Sequence, residues 1–337
     1  MPVTLKDVAR HAGVSHKTVS RVVNNQGEIS EATRQRVLRA VERLGYKPNR
    51  LARGLVTGRT QAVGIIIPDI TDPFFPEMIL GAESVARERG YNVFLCNTNR
   101  DPALELRYVD LLSERQVDGL MIVGSMLGED GLRTATRGHN AVILTPHIIP
   151  DAVLFWLDDL EGGRQIGRHL VELGHQRIGF IEASWRHSAN YRCAGLLEAL
   201  QEGGLPADAL LVETISVVSV DAGRQAARDL LARSPAITAL ACYNDVIAVG
   251  ALQACRELGK RVPQDLSVTG FDDILEASRS HPPLTTYRFD RHGLGAAMTE
   301  RLLDMIEHKS KGGDRLVVRG ELIVRDSSGP AVCRGAG

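Results

Sequence analysis

The chain has 337 residues, 44% of them hydrophobic, and its 40 Lys and Arg nearly balance its 41 Asp and Glu. This length is enough for two or three domains, and the composition is typical of a globular protein. There is no apolar run of the ~18 residues that a membrane helix needs, no signal-peptide pattern and no CxxC pair among the five cysteines, so we expect a cytoplasmic protein without a membrane span, a disulfide framework or a metal site.

The charge is distributed unevenly along the chain. Residues 1–60 contain twelve Lys and Arg but only four Asp and Glu, a net charge of +8, which leaves −9 for the remaining residues. A small basic segment attached to a larger acidic body favours contact with a polyanion. A solvated surface helix is the alternative explanation for the same counts.

Residues 1–46 show the pattern of three short helices. Thr4 can cap the first helix, with Asp7 as its partner in a capping box, and Gly13 permits a tight turn after it. Ser15 can cap the second helix. Apolar residues recur at helical spacing and predict a shared core, as follows: Leu5, Val8, Ala9, Ala12, Val19, Val22, Val23, Val37, Val41 and Leu44.

The second helix has a polar outer face that includes His16, Lys17, Ser20 and Arg21. Two short helices joined by a glycine turn, followed by a third, form the helix-turn-helix motif. In that motif the N-terminal residues of the second helix contact base edges in the major groove. The three cationic side chains are therefore candidates for DNA contact.

The head and its continuation, VTLKDVARHAGVSHKTVSRVVN and RVLRAVERLGYKPNRLARGL, resemble the lac repressor family of bacterial transcription regulators. The resemblance implies that His16 and Lys17 occupy base-reading positions. The predicted DNA contacts are Thr4, Ser15, His16, Lys17, Thr18, Ser20, Arg21, Asn24, Asn49 and Leu55.

Residues 47–60 form the predicted linker. Asn49 can cap a short helix, but a helix of this length does not persist alone in water, and Gly54 weakens it further. A flexible linker is therefore the alternative. The resemblance implies a hinge helix that forms on DNA, with Leu55 as the residue that wedges into the minor groove.

From residue 61 onward, short apolar runs alternate with helical stretches. This alternation predicts α/β architecture with parallel sheets covered by helices. Nine runs read as strands: 62–68, 92–96, 119–123, 141–145, 153–157, 177–181, 210–215, 239–242 and 266–271. The resemblance implies a type I periplasmic-binding-protein-like body of two doubly wound lobes. The expected N-terminal lobe is 61–158 with 290–318, the C-terminal lobe is 159–289 with 319–328, and 329–337 is a flexible tail.

Polar and aromatic residues follow several of these strands. Ligands of open α/β sheets bind beyond the carboxyl ends of strands, so these residues are expected to gather at one cleft. Asp158 and Asp159 follow one strand, for example, and Asp72 follows another. Aromatic faces with carboxylates, amides and guanidiniums suit a sugar-like ligand. Each of these residues could instead be a turn former, a helix cap or part of the core.

The resemblance assigns ligand contacts to Arg192, in NYRCAGLLEAL, and Asp272, in GFDD, with Phe74 as a cleft-lining residue. The predicted effector-binding residues are Asp72, Phe74, Phe75, Arg186, Arg192, Asn244 and Asp272. If Arg186 faces the cleft, two guanidiniums indicate a sugar acid or phosphosugar. If Arg186 lies on the surface, a neutral sugar fits better.

The sequence contains no nucleophile elbow, Walker A loop or HExxH motif, so we predict no catalytic residues and no cofactor. The interpretation is a DNA-binding transcriptional regulator, acting as a repressor and controlled by a sugar-like effector. A homodimer is expected because one head reads only a half-site of operator DNA. The expected location is the nucleoid of the cytoplasm. Inducer and corepressor give the same sequence pattern.

Two other classes of protein are alternatives to a transcriptional regulator. A secreted sugar-binding transport protein shares the expected body, but the basic head argues against it. An enzyme with a DNA-binding appendage would need a catalytic constellation that the sequence does not contain.

Overall fold

The computed structural model describes residues 3–23, 27–46, 59–184, 187–308 and 312–332, and only the backbone of residues 187–189. The chain divides into two compact units, residues 1–61 and 62–337. Among the described helices, none is both long enough and apolar enough to cross a membrane.

The first unit contains α1 (Leu5–Ala12), α2 (His16–Val23) and α3 (Glu31–Leu44). Thr4 caps α1 in a capping box: its backbone N–H donates to Asp7 Oδ2 at 3.0 Å and its Oγ1 accepts from the Asp7 N–H at 3.4 Å. Gly13 ends α1 with a left-handed φ of 62°. The three helices share a small core of Val8, Ala9, Ala12, Val19, Val22, Val37, Ala40 and Tyr46.

The second unit alternates strands and helices. Its strands are β1 (Ala62–Ile67), β2 (Asn92–Asn97), β3 (Gly119–Val123), β4 (Ala141–Leu144), β5 (Val153–Leu157), β6 (Ile178–Ala183), β7 (Leu210–Ile215), β8 (Ala239–Cys242), β9 (Ser267–Phe271), β10 (Thr285–Arg288), β11 (Arg315–Val318) and β12 (Glu321–Ile323). Its helices are α4 (Phe74–Glu88), α5 (Pro102–Glu114), α6 (Glu129–Thr136), α7 (Asp159–Glu172), α8 (His187–Glu202), α9 (Val220–Arg233), α10 (Asp245–Glu257), α11 (Leu275–Arg279) and α12 (Arg291–His308).

The strands form two six-stranded sheets, in the orders β11-β5-β4-β3-β1-β2 and β12-β10-β9-β8-β6-β7. Every neighbouring pair is parallel except β10 and β12. The chain crosses between the sheets after β5, after β10 and after β11. The predicted fold class, a helix-turn-helix head with a doubly wound two-lobed body, is confirmed.

Several elements differ from the sequence prediction. The short strands β10 and β11 and the helix α6 do not stand out in the sequence because their apolar residues are few or mixed with polar ones. Strand β11 lies at a sheet edge, its residues are mostly exposed, and its apolar run is only three residues long.

Helix α12 packs closely against α4 and fixes the first lobe. A Cβ atom at Gly295 would lie 1.9 Å from the Met78 carbonyl oxygen, and one at Gly81 would lie 2.0 Å from the His292 carbonyl oxygen. The two backbones therefore approach at a distance that only glycine permits.

The first residues of the predicted flexible tail make hydrogen bonds to the second lobe. The Gly329 N–H donates to Ser267 Oγ at 3.0 Å, and the Ala331 N–H donates to the Leu173 carbonyl oxygen. His175, buried beneath this segment, shares Nε2 with Ser267 Oγ and the Gly329 carbonyl oxygen. Polar partners on distant elements therefore hold residues 329–331, and residues 333–337 lie outside the described part of the chain.

Candidate DNA interface and effector cleft

The exposed face of α2 carries the predicted base-reading residues. His16, Lys17 and Arg21 are exposed, whereas Val19 and Val22 on the opposite face are buried in the head's core. The helix is thus held by its valines and presents its cationic side chains outward. This is the arrangement that a recognition helix needs for contact with base edges.

Other predicted DNA contacts have structural duties in the head. Thr4 is occupied in the capping box of α1. Ser15 Oγ accepts from the Thr18 N–H at 3.1 Å and so caps α2, and it also lies 2.9 Å from Thr18 Oγ1. Ser20 is half-buried. Asn24, Asn49 and Leu55 lie outside the described residues, as does most of the predicted hinge.

A cavity of about 150 Å³ lies between the two lobes of the body. This is roughly ten times the volume that one water molecule needs. Residues that line it follow strands of both sheets: Asp72, Phe74 and Phe75 after β1, Ser125 and Met126 after β3, His147 after β4, Asp159 after β5, Tyr243 after β8 and Asp272 after β9. Tyr191 and Arg192 enter from α8.

Arg192 is the central polar residue of this cleft. Its Nε donates to Asp159 Oδ1 at 2.8 Å, its Nη1 donates to the Tyr243 carbonyl oxygen at 2.6 Å, and its Nη2 lies 3.6 Å from Asp272 Oδ1. The guanidinium also stacks 3.6 Å from the centre of the Phe271 ring. Burial opposes the charged form, but the neighbouring carboxylate of Asp159 raises the pKa of Arg192 above its ordinary value. The guanidinium is therefore charged and fixed by partners on several elements.

Asp272 has an unusual backbone and an unsatisfied carboxylate. Its φ is 103°, a left-handed value that non-glycine residues rarely adopt and that often accompanies function. Its Oδ1 is buried and accepts no hydrogen bond from the described residues. Burial raises the pKa of Asp272 to about 7, Arg192 opposes this increase, and Asp72 adds to it. This oxygen is thus a ready acceptor for a ligand hydroxyl.

The loop that carries Asp272 is anchored by Asp245, a fully buried residue at the start of α10. The Ile274 N–H donates to Asp245 Oδ2 at 2.8 Å, and Thr286 Oγ1 donates to Asp245 Oδ1 at 2.6 Å. Burial raises the pKa of Asp245 well above its ordinary value, and the charge of Asp272 adds to this effect. Asp245 therefore holds residues 272–274 in place by hydrogen bonds, and we call these residues the effector loop.

A second buried carboxylate supports the opposite wall. Glu105 on α5 accepts from Ser125 Oγ at 2.5 Å and from the Met126 N–H at 3.0 Å. Burial raises the pKa of Glu105, although these two hydrogen bonds lower it. Glu105 thereby fixes two residues that line the cavity.

Aromatic rings form the apolar surfaces of the cleft. Phe74 and Phe75 pack edge to face with their centroids 5.3 Å apart. The ring of Trp156 in the first lobe packs against the ring of Tyr191 in the second lobe, with their centroids 5.6 Å apart. The Arg315 guanidinium lies 3.8 Å from the centre of the Trp156 ring. Flat apolar faces beside carboxylates suit the C–H and O–H surfaces of a sugar.

The structure brings five of the seven predicted effector residues together at this cavity: Asp72, Phe74, Phe75, Arg192 and Asp272. Asn244 is not among the described residues that line the cavity. Its buried side chain accepts from the Ile247 N–H at 3.2 Å and caps α10. Arg186 lies outside the described residues.

The predicted effector-binding residues leave out four prominent residues of the cleft: Asp159, Trp156, Tyr191 and Tyr243. Asp159 was expected near the cleft because it follows a strand, but its ion pair with Arg192 joins residues 33 positions apart. The three aromatic residues have no sequence pattern that separates them from core residues. Among the described residues, no cluster of three or more His, Cys, Asp or Glu could hold a metal ion.

Two family models match this chain. Residues 4–49 match the bacterial regulatory proteins of the lacI family, and residues 60–325 match the periplasmic binding proteins and sugar binding domain of the LacI family. The chain belongs to the LacI family. This family consists of transcription regulators rather than enzymes. The match of the head also excludes the transport-protein alternative.

Individual LacI-family relatives are similar to this protein over nearly its whole chain. The HTH-type transcriptional regulator DegA of Bacillus subtilis (strain 168) is 36% identical over 98% of this chain and 99% of its own. The lac repressor dimer bound to operator and the anti-inducer ONPF has a TM-score of 0.86 at 29% identity, covering 98% of this chain and 100% of the repressor. The complex of the transcriptional regulator CelR with cellobiose has a TM-score of 0.72 at 32% identity. The match covers 96% of this chain and 99% of the CelR chain.

Proposed function

We propose that this LacI-family protein is a repressor that binds operator DNA as a two-fold dimer and responds to a neutral, hydroxyl-rich sugar in the cleft. The observation that carries the DNA-binding part is the exposed cationic face of α2, with His16, Lys17 and Arg21 held outward by buried valines. The lac repressor dimer on its operator, which this chain resembles in fold, supports the dimeric arrangement. Such a regulator acts at the nucleoid, in the cytoplasm.

The charges of the cleft favour a neutral effector over a sugar acid or phosphosugar. Among the described residues that line the cavity, there are three carboxylates, those of Asp72, Asp159 and Asp272, and one guanidinium, that of Arg192. That guanidinium already donates to Asp159 and to the Tyr243 carbonyl oxygen. An anionic ligand would meet a net negative charge among these described lining residues, whereas ligand hydroxyls can donate to carboxylate oxygens. The cellobiose complex of CelR is consistent with a sugar of this kind.

The proposed response couples the cleft to the head by a shift in population. A sugar that binds one arrangement of the lobes more tightly favours that arrangement, and the coupling free energy in such systems is typically ~1–3 kcal/mol. We assign residues 1–46 to the DNA-binding head and 47–60 to the hinge. The N-terminal lobe is 61–158 with 290–318, and the C-terminal lobe is 159–289 with 319–328.

The first test is a thermal-shift screen of the full chain with D-ribose, cellobiose, D-gluconate and D-ribose 5-phosphate. A ligand at 100 times its dissociation constant stabilises a protein by ~2.7 kcal/mol, which is readily detected. We expect a shift with a neutral sugar, and we expect Asp272→Asn to abolish it. A shift with only the two anionic compounds would overturn the effector assignment.

The DNA-binding part is tested separately, with an operator obtained by in vitro selection on the full chain. Binding should weaken steeply as salt concentration rises, because phosphate contacts release counterions. Recovery of no enriched sequence would contradict the recognition-helix assignment without affecting the cleft.

A further inference from the structure

One buried guanidinium connects the two lobes behind the effector cleft. Arg291 is the first residue of α12, which packs on α4 in the first lobe, and its side chain is only 7% exposed. Its Nη2 donates to the Asp273 carbonyl oxygen of the effector loop at 3.0 Å. The same nitrogen lies 2.5 Å from Glu77 Oε2 on α4. A single side chain thus contacts both lobes.

The other nitrogens of Arg291 are not matched by acceptors. Nε and Nη1 are buried and have no hydrogen-bond acceptor among the described residues. Asp272 Oδ1 is also buried, and it has no hydrogen-bond donor among these residues. A buried guanidinium with unsatisfied donors costs free energy, and an apolar side chain of similar volume would be less costly. Local packing therefore does not explain why an arginine stands at position 291. The contacts of Arg291 with both lobes explain it.

The segment that Arg291 holds is strained and bears the effector carboxylate. Asp272 and Asp273 have φ values of 103° and 50°, so neighbouring contacts must maintain the turn. Within the second lobe, Asp245 holds the Ile274 N–H, and Arg325 lies 2.7 Å from Asp273 Oδ1. Arg291 is the anchor of this loop that comes from a first-lobe helix.

Glu77, the partner of Arg291, lies near the start of α4, where two phenylalanines line the cavity. Helix α4 begins at Phe74, and both Phe74 and Phe75 line the cavity. Glu77 lies on the same first turn, and its side chain is half exposed. A movement of the effector loop that carries Arg291 with it would therefore pull directly on the part of α4 that contacts the ligand.

We propose that Arg291 is a positioning residue that fixes the effector loop relative to α4 through Glu77. Breaking the link lets the lobes separate at the cleft, so that the Asp272 carboxylate and the Phe74–Phe75 wall no longer face each other at a fixed distance. The link is a property of the protein without DNA or sugar, whereas its value for effector binding rests on the proposed function.

The cleft provides its own reporter for a test. The sequence contains two tryptophans, and the substitution Trp185→Phe leaves Trp156 as the sole tryptophan in the full chain. Trp156 lines the cavity and contacts Tyr191 of the opposite lobe, so separation of the lobes exposes its ring. Quenching of its fluorescence by acrylamide measures that exposure directly.

Glu77→Gln is the decisive variant because this side chain is half exposed, so we expect its substitution to leave the fold intact. A contact of this kind shifts the ratio of open to closed lobes by about threefold, so the Stern–Volmer constant should rise. Glu83→Gln is the matched control. Glu83 lies on the same helix with similar exposure but pairs within α4, with Arg87 at 2.8 Å, and its substitution should leave quenching unchanged.

Arg291→Lys supplies the second test. Lysine keeps the charge but cannot reach both partners with the planar fork of arginine, so quenching should again rise. Because both substitutions break one link, the double variant should show no more quenching than the stronger single variant. Quenching in Glu77→Gln equal to that in Glu83→Gln, or fully additive effects in the double variant, would overturn the proposal. Both results are independent of whether any sugar binds.

Discussion

The carboxylate of Asp272 should destabilise the folded protein at neutral and alkaline pH. Burial raises the pKa of this group from 3.8 to about 7, against the opposing charge of Arg192. Between these two pKa values the native state retains a proton that the unfolded state has released. The free energy of unfolding therefore falls as the pH rises through this window. Because one pKa unit corresponds to ~1.4 kcal/mol, the loss above pH 7 amounts to about 4 kcal/mol.

Asp272→Asn removes this titration while it keeps the shape of the side chain. We expect the variant to be more stable than the unsubstituted protein by about 4 kcal/mol near pH 8 and by about 2 kcal/mol near pH 5. Urea unfolding at the two pH values, followed by tryptophan fluorescence, gives both differences. The gain in stability should accompany the loss of the thermal shift with sugar, as for other groups kept for function at a cost in stability.

The neighbouring carboxylate offers a control of opposite sign. Asp273 lies 2.7 Å from Arg325 and 3.8 Å from Arg288, so Asp273→Asn should destabilise the protein. If Asp272→Asn were instead less stable than the unsubstituted protein near pH 8, the ion pair with Arg192 would outweigh the burial of Asp272. The view that the cleft keeps this carboxylate for a ligand would then be refuted.

Three further predictions concern the head, the lobe packing and the buried histidine. Lys17→Ala should change the base preference of a selected operator by ~1–3 kcal/mol at one position, whereas Arg39→Ala should weaken all sequences alike, as competition binding would show. Gly295→Ala should destabilise the protein by ~3 kcal/mol or more in urea unfolding, because its Cβ would lie 1.9 Å from the Met78 carbonyl oxygen. Burial lowers the pKa of His175, so the unfolded state binds the proton first as the pH falls. The free energy of unfolding should therefore fall as the pH drops below 6.5. His175→Gln should reduce this pH dependence of the free energy of unfolding, and an unchanged pH profile would contradict the prediction.

The sequence alone predicted the features that depend on short-range pattern. Helical spacing of Val8, Val19 and Val22 predicted the core of the head, and the alternation of apolar runs predicted parallel sheets covered by helices. The positions of Asp72 and Asp272 after strands placed both at the cleft, because the ends of parallel strands meet at one edge of a sheet. These inferences need only the local period and the direction of each strand.

The tertiary structure alone decided which polar groups meet. Asn244 also follows a strand, yet its side chain turns inward to cap α10. The pairing of Arg192 with Asp159 and the left-handed backbone of Asp272 depend on elements far apart in the chain. So does the link from Arg291 to both lobes. A local pattern specifies which face of an element is buried, but the partner of a buried charge is determined by how whole elements pack, and its free energy depends on that partner.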